Sequence, residues 1–204
     1  MKAVGFDYDG VIVNSRSAAW SAAERILASF GIVVPIDSSK TMEEAFGHAA
    51  QDALVGAEHA GALRMAHRLL MRHRACDLKL FDDIIAVVAN VEAPKILVTA
   101  GLADGVKRRL GRTASLFDEI VGFESGRKPD LMAQRVGRLG VYVTDTVSDI
   151  EICRALGLPV IACTWGTHDD VQMLAEARPD AIANNAAGLA SVLNDFNFKQ
   201  KEGS

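Results

Sequence analysis

Asp7 and Asp9 stand one residue apart at the end of a short apolar run, Ala3 to Phe6, and Gly10 follows at once. The run reads as a buried strand. Two acids at i and i+2 share one side of an extended backbone, so both can face one small target. Close carboxylates repel and raise one another's pKa, and keeping both ionised in a cleft needs a cation. A strand ending in Asp-x-Asp-Gly therefore points to a magnesium site. The plainer alternative is a strand followed by a polar turn, and the rest of the chain must decide between the two.

The elements that would position these acids follow from periodicity. Ser15 to Phe30 repeats Ala19, Ala23, Ile26, Leu27 and Phe30 on a helical period, and Gly31 is placed to stop it. Further helical stretches span roughly 41–54 and 57–75, with breaks at Pro35 and Gly56, and no strand is expected between about 15 and 78. An insertion of helices alone, entered directly after the acid pair, reads as a cap over the site. From Leu80 onward the pattern alternates. Asp82 to Asn90 and Ala103 to Leu110 read as helices, Lys95 to Val98 and Glu119 to Phe123 as strands. Asp130 to Leu139 reads as a helix with Gly140 as its left-handed C-terminal residue, and Val141 to Val143 as the next strand. Ile150 to Leu156 is expected to be helical and to stop at Gly157. Val160 to Cys163 and the short segment Ala181 to Ala183 then precede a last helix near Leu189 to Phe196, and the tail Lys199 to Ser204 is expected to fray.

This alternation predicts an α/β fold, a doubly wound and mainly parallel Rossmann-like sheet carrying an inserted all-helical cap. The core would comprise residues 1–14 and 79–204, and the cap residues 15–78. Ligands of such sheets bind at the carboxyl ends of the strands. There the chain places Asp7 and Asp9, Thr99, the Lys128-Pro129 loop, and Asp145 with Asp149 one helical turn later.

Composition narrows the classes. The chain has 204 residues, half of them apolar and 24% charged, with a net charge of −4. That is ordinary for a soluble globular protein, and the missing basic field argues against nucleic acid as a partner. No apolar stretch approaches a membrane span, and Met1-Lys2 leaves no room for a signal peptide, so the expected location is the cytosol. Three widely spaced cysteines, Cys76, Cys153 and Cys163, imply neither a disulfide framework nor a zinc motif, and the last two read as buried small residues. Ala100 to Gly105 after a strand lacks the Gly-x-Gly-x-x-Gly order of a dinucleotide site.

With these residues in view the sequence resembles the haloacid dehalogenase superfamily, in its phosphatase branch with a helical cap, and is phosphoglycolate phosphatase-like. Four motifs match in order: Asp7-Tyr8-Asp9-Gly10-Val11, Thr99, Lys128-Pro129 and Asp145-x-x-x-Asp149. The resemblance implies a Mg2+-dependent phosphomonoesterase acting on a small phosphorylated metabolite, as a monomer or homodimer. Asp7 would be the nucleophile and Asp9 the acid and base, with Thr99 and Lys128 completing the catalytic set. Gly10, Thr99, Ala100 and Lys128 would bind phosphate, and Asp7, Asp9, Asp145 and Asp149 the metal. The chain departs from the pattern at Asn14, at Thr144 where glycine usually precedes the fourth-motif acid, and in a short segment between Lys128 and Val141. A phosphomutase would use the same residues, and a phosphate-ligand scaffold remains the reading from a different class. Asp9 has no counterpart in the dehalogenases, and a phosphonate hydrolase would need a cap lysine, where only Lys40 and Lys79 stand. In the cap, Arg64, Arg68 and Arg72 form a basic stripe, either a solvated face or an attractor for an anionic substrate. Arg16, Phe46 and His48 are candidate contacts, and Trp165-Gly166-Thr167-His168 resembles a loop of phosphoglycolate phosphatase-like relatives.

Overall fold

The structure, a computed structural model, describes residues 1–32, 47–167 and 169–196. The first strand, β1 (Ala3–Phe6), runs to Asp7 and is followed by a two-residue strand β2 (Val13–Asn14). Three helices come next: α1 (Arg16–Ser29), α2 (His48–Val55) and α3 (Ala57–His73). The chain then returns through β3 (Lys79–Leu80), which pairs antiparallel with β2. Beyond it strands and helices alternate: α4 (Asp82–Asn90), β4 (Lys95–Val98), α5 (Ala103–Leu110), β5 (Glu119–Val121), α6 (Lys128–Ala133) and β6 (Leu139–Thr144). The chain closes with α7 (Val147–Ala155), β7 (Val160–Cys163), α8 (Val171–Glu176), β8 (Ala181–Ala183) and α9 (Ala186–Asp195).

Six strands form one parallel sheet in the order β5-β4-β1-β6-β7-β8. The order reverses about β1, so the crevice of this α/β sheet opens at the carboxyl end of the strand that carries Asp7. Alternation along each strand feeds two cores. Val4, Phe6, Leu97, Val141 and Val143 pack with Ile84 and Val88 of α4 and Leu189 and Leu193 of α9. Ala3, Ile96, Val98 and Tyr142 pack on the other face with Leu131 and Met132 of α6 and Ile150 and Cys153 of α7. Helices therefore cover both faces, and the strands read as continuous apolar runs for that reason. Helices α1 to α3 hold a separate small cluster around Ala23, Ile26, Leu27 and Leu63.

Gly5 has a specific duty within β1. A Cβ there would lie 2.5 Å from the Tyr142 ring, so only glycine lets that ring lie against the strand. The Tyr142 hydroxyl in turn donates to the Val98 carbonyl at 3.2 Å.

Three expectations need correction. The predicted helix over 130–139 is the shorter α6, which begins at Lys128 with Pro129 in its first turn, a position proline favours. Leu139 is needed in the sheet opposite Ala3, so β6 starts there and Gly140 is a strand residue rather than a left-handed cap. The third strand stops at Val121, and Phe123–Ser125 forms a single helical turn. The helix after Asp145 begins earlier than expected, because Thr146 caps it by accepting the Asp149 amide at 3.3 Å. Among the described residues no helix is long and apolar enough to cross a membrane. Lys40, Phe46, His168 and the tail at 199–204 lie outside the described residues, as do the side chains of His48 and Cys76.

Candidate active site

Asp7 leaves the sheet edge with its amide bonded to the Val143 carbonyl at 2.9 Å, which aims the side chain into the crevice. Its Oδ1 accepts the Tyr8 amide at 2.7 Å and the Lys128 ammonium at 2.8 Å. Lys128 opens α6, delivered by the loop after β5, and its ammonium also reaches Asp149 Oδ2 at 2.5 Å. Asp149, in the first turn of α7, accepts the Thr144 hydroxyl at 2.8 Å. Thr144, which stands where glycine is usual, is thus built into the network.

Burial sets the electrostatics of this cluster. It pushes the Asp7 carboxyl up to about 7 despite the opposing pull of Lys128. Burial would lower the Lys128 ammonium, but Asp149 and Asp7 reverse that and hold it well above the ordinary lysine range. The ammonium also lies 5.8 Å from the Tyr142 ring centroid, so the ring admitted by Gly5 floors the lysine's niche.

Asp145 is different in kind. It ends β6 almost fully buried, and neither carboxylate oxygen has a hydrogen-bond partner. Burial, then the proximity of Asp7, raises its pKa well above the ordinary carboxylate range. An orphaned buried carboxylate costs several kcal/mol unless something compensates it, on the order of 1–3 kcal/mol for hydrogen bonding alone. A divalent cation beside Asp7 and Asp145 is the compensation that fits this donor set. Even so, no group of three or more histidine, cysteine, aspartate or glutamate side chains stands ready to hold a metal among the described residues. Asp149 is committed to Lys128 and Thr144 rather than to Asp145. Asp9 is half-buried, and burial raises its carboxyl as well.

Gly10, expected among the phosphate-binding groups, gives its amide to the Val13 carbonyl at 2.9 Å. Its φ is +71°, and a Cβ there would stand 1.9 Å from Asp145 Oδ2, so the residue makes room for that carboxylate. Thr99 is fully buried at the end of β4 and its Oγ1 accepts the Gly101 amide at 2.9 Å. That bond leaves the hydroxyl hydrogen to donate. Ala100 is exposed beside it.

Sequence reasoning missed Thr167, although it singled out the loop. The Thr167 hydroxyl donates to the Asp145 carbonyl at 2.6 Å and accepts the Asp169 amide at 2.9 Å, while Trp165 Nε1 donates to the Val11 carbonyl at 3.0 Å. The loop after β7 therefore ties the backbone of Asp145 to the segment after Gly10. Arg16 contacts this loop through the Thr167 carbonyl at 3.4 Å. The basic stripe is partly exposed but partnered: Arg64 pairs with Asp52 at 3.0 Å, Arg72 with Asp104 at 2.5 Å, and Arg68 donates to the Ala100 carbonyl at 2.9 Å. Cys153 and Cys163 are buried free thiols, the first pushed up to about 12 by burial, so neither is a ready nucleophile.

No family model matches the chain. A phosphoglycolate phosphatase of Synechococcus elongatus is 27% identical over 96% of this chain and 99% of its own length. A phosphoglycolate phosphatase of Yersinia pseudotuberculosis is 26% identical over 99% of this chain and 97% of its own. Among solved structures, a haloacid dehalogenase-like family hydrolase of Streptococcus pneumoniae superposes with a TM-score of 0.79 at 20% identity, covering 94% of this chain and 98% of that one. Over nearly its whole length the chain is similar to phosphoglycolate phosphatases, and it shares the fold of the haloacid dehalogenase-like hydrolase; the two likenesses support a phosphatase that is phosphoglycolate phosphatase-like.

Proposed function

We propose that the chain is a magnesium-dependent phosphomonoesterase that works through an aspartyl phosphate on Asp7. The observation that carries this reading is the way Asp7 is held: Lys128 and the Tyr8 amide both bind Oδ1, leaving Oδ2 as the attacking oxygen. A positioned carboxylate can act as a covalent nucleophile towards phosphorus. The Asp7–phosphorus bond forms as the ester bond breaks, and Asp9 gives its proton to the leaving oxygen. Asp9 then takes a proton from the water that attacks phosphorus, and Asp7 departs as the carboxylate. The burial-raised carboxyl of Asp9 suits it to this exchange. Thr99 would donate its free hydroxyl hydrogen to a phosphoryl oxygen, with the Ala100 amide beside it, and Lys128 would offset the charge that builds there. Asp7, Asp145 and the Asp9 carbonyl would hold Mg2+, which when bound offsets the clustered negative charge of acids and phosphate. Asp149 would serve the site by holding Lys128.

Residues 15–78 act as the cap in this reading, hinged where β2 and β3 pair, and residues 1–14 with 79–204 form the core. The substrate is a small phosphorylated metabolite in the cytosol, and phosphoglycolate is the first candidate, because both curated relatives are phosphoglycolate phosphatases. The test is phosphate release from 2-phosphoglycolate, sugar phosphates and nucleoside monophosphates, with Mg2+ or with a chelator. Release that needs Mg2+ and is fastest with 2-phosphoglycolate is expected. Equal release under chelation would remove the metal from the reading, and faster turnover of another ester would replace the substrate.

A further inference from the structure

We propose that Arg68 is a positioning residue that couples the seating of α3 on the core to the geometry of the Thr99 phosphate-binding loop. The proposal rests on the phosphatase reading of Thr99 and goes beyond it.

Arg64, Arg68 and Arg72 recur every four residues along α3, yet their partners differ. Arg64 bonds Asp52 within the helical layer, and Arg72 bonds the exposed Asp104 at the start of α5. Arg68 alone of the three meets the loop that follows Thr99. Its Nε donates to the Ala100 carbonyl at 2.9 Å, and its Cζ lies 3.8 Å from the Phe123 ring centroid.

The Ala100–Gly101 peptide is gripped from both sides. Its carbonyl takes Arg68, and its N–H, that of Gly101, donates to Thr99 Oγ1 at 2.9 Å. A peptide unit is planar, so holding the carbonyl also directs the N–H. The N–H decides which Thr99 lone pair is used and therefore where the hydroxyl hydrogen points. The circuit closes through Phe123, whose amide donates to the Gly101 carbonyl at 2.8 Å while its ring carries the guanidinium. Arg68 thus contacts both loops that this bond joins, at the Ala100 carbonyl on one and the Phe123 ring on the other. Only a planar guanidinium can donate sideways and stack at once; a lysine ammonium cannot. When α3 is seated, the Thr99 hydroxyl is set. When α3 lifts, the Ala100 carbonyl loses its donor and the peptide can turn.

The Arg72–Asp104 pair supplies the control, since it also joins α3 to the core, at α5, without bonding the Ala100–Gly101 peptide. Both its side chains are well exposed, 40% and 50%, and such pairs contribute little. The experiment compares Arg68→Gln, Arg68→Lys and Arg72→Gln in the Mg2+-loaded protein, reading kcat, KM and inhibition by inorganic phosphate. Both Arg68 variants should lose about 10- to 100-fold in kcat and bind inorganic phosphate about 10-fold more weakly. Arg72→Gln should stay within about 2-fold. In a Thr99→Val background the further loss from Arg68→Gln should shrink below about 3-fold, because the residue it acts through is gone. Amide exchange at Gly101 should speed up in the Arg68 variants and not in Arg72→Gln, a readout that needs no turnover. Equal effects of the Arg68 and Arg72 variants, unchanged Gly101 exchange, or full additivity with Thr99→Val would each overturn the proposal. A wild-type protein that releases no phosphate would instead overturn the phosphatase reading, while Gly101 exchange still decides whether Arg68 orders the loop.

Discussion

Asp7→Asn should leave a folded protein that releases essentially no phosphate. An asparagine amide is no nucleophile, so kcat should fall by at least about 10^4-fold, as when covalent catalysts lose their attacking group. Stability should move far less. Asp7 is buried with its carboxyl pushed up to about 7, so the wild-type protein bears a cost for ionising it that the neutral amide avoids. Lys128 keeps Asp149 at 2.5 Å, which prevents the ammonium from being stranded. A urea midpoint close to wild type alongside lost turnover is the expected pattern. Residual turnover above about 1% of wild type would place the nucleophile elsewhere.

Lys128→Met should damage both stability and chemistry. The ammonium is shared by Asp7 and Asp149, all three side chains being no more than 11% exposed. Removing one member of a buried ion cluster strands its partners and costs about 3–5 kcal/mol. Without the lysine, burial would push Asp7 higher still, so the nucleophile would carry a proton at neutral pH. The developing phosphoryl charge would also lose its counter-ion, and kcat should fall on the order of 10^3-fold. Adding Asp149→Asn separates the two effects. It removes one stranded charge, so the double variant should recover part of the stability and none of the activity. Urea titration and steady-state rates on the two variants provide the check. A Lys128→Met protein as stable as wild type would show that the cluster is not a charge-paired unit.

The placing of the candidate site residues was more legible in the sequence than the scaffolding around them. Asp7, Thr99 and Asp145 each sit just beyond a strand end, where short apolar runs with polar termini are easy to read, the sheet places those ends side by side, and Lys128 follows the loop after β5, at the start of α6. The antiparallel pairing of β2 with β3 was invisible because each strand has two residues, too few for any period to show. Gly140 misled because a glycine after a helix-forming stretch resembles a C-cap, while the pairing of Leu139 with Ala3 that makes it a strand residue spans most of the chain. The arginine stripe was seen, but its partners Ala100 and Asp104 lie 32 residues away from Arg68 and Arg72, and periodicity on one helix does not reveal what faces it. Gly5 carried a usable signal: a glycine inside a buried apolar strand marks a close approach, here by Tyr142.

The central claim is that Asp7 becomes phosphorylated, and acid quenching of the Mg2+-loaded enzyme within its first turnover of 2-phosphoglycolate tests it most directly. Mass spectrometry of the quenched protein should find one phosphoryl group, acid-stable and hydroxylamine-labile as an acyl phosphate must be, on the peptide containing Asp7 and absent from Asp7→Asn. Phosphate released at full rate with no phosphorylated protein at any quench time, or the label on another residue, would contradict the account.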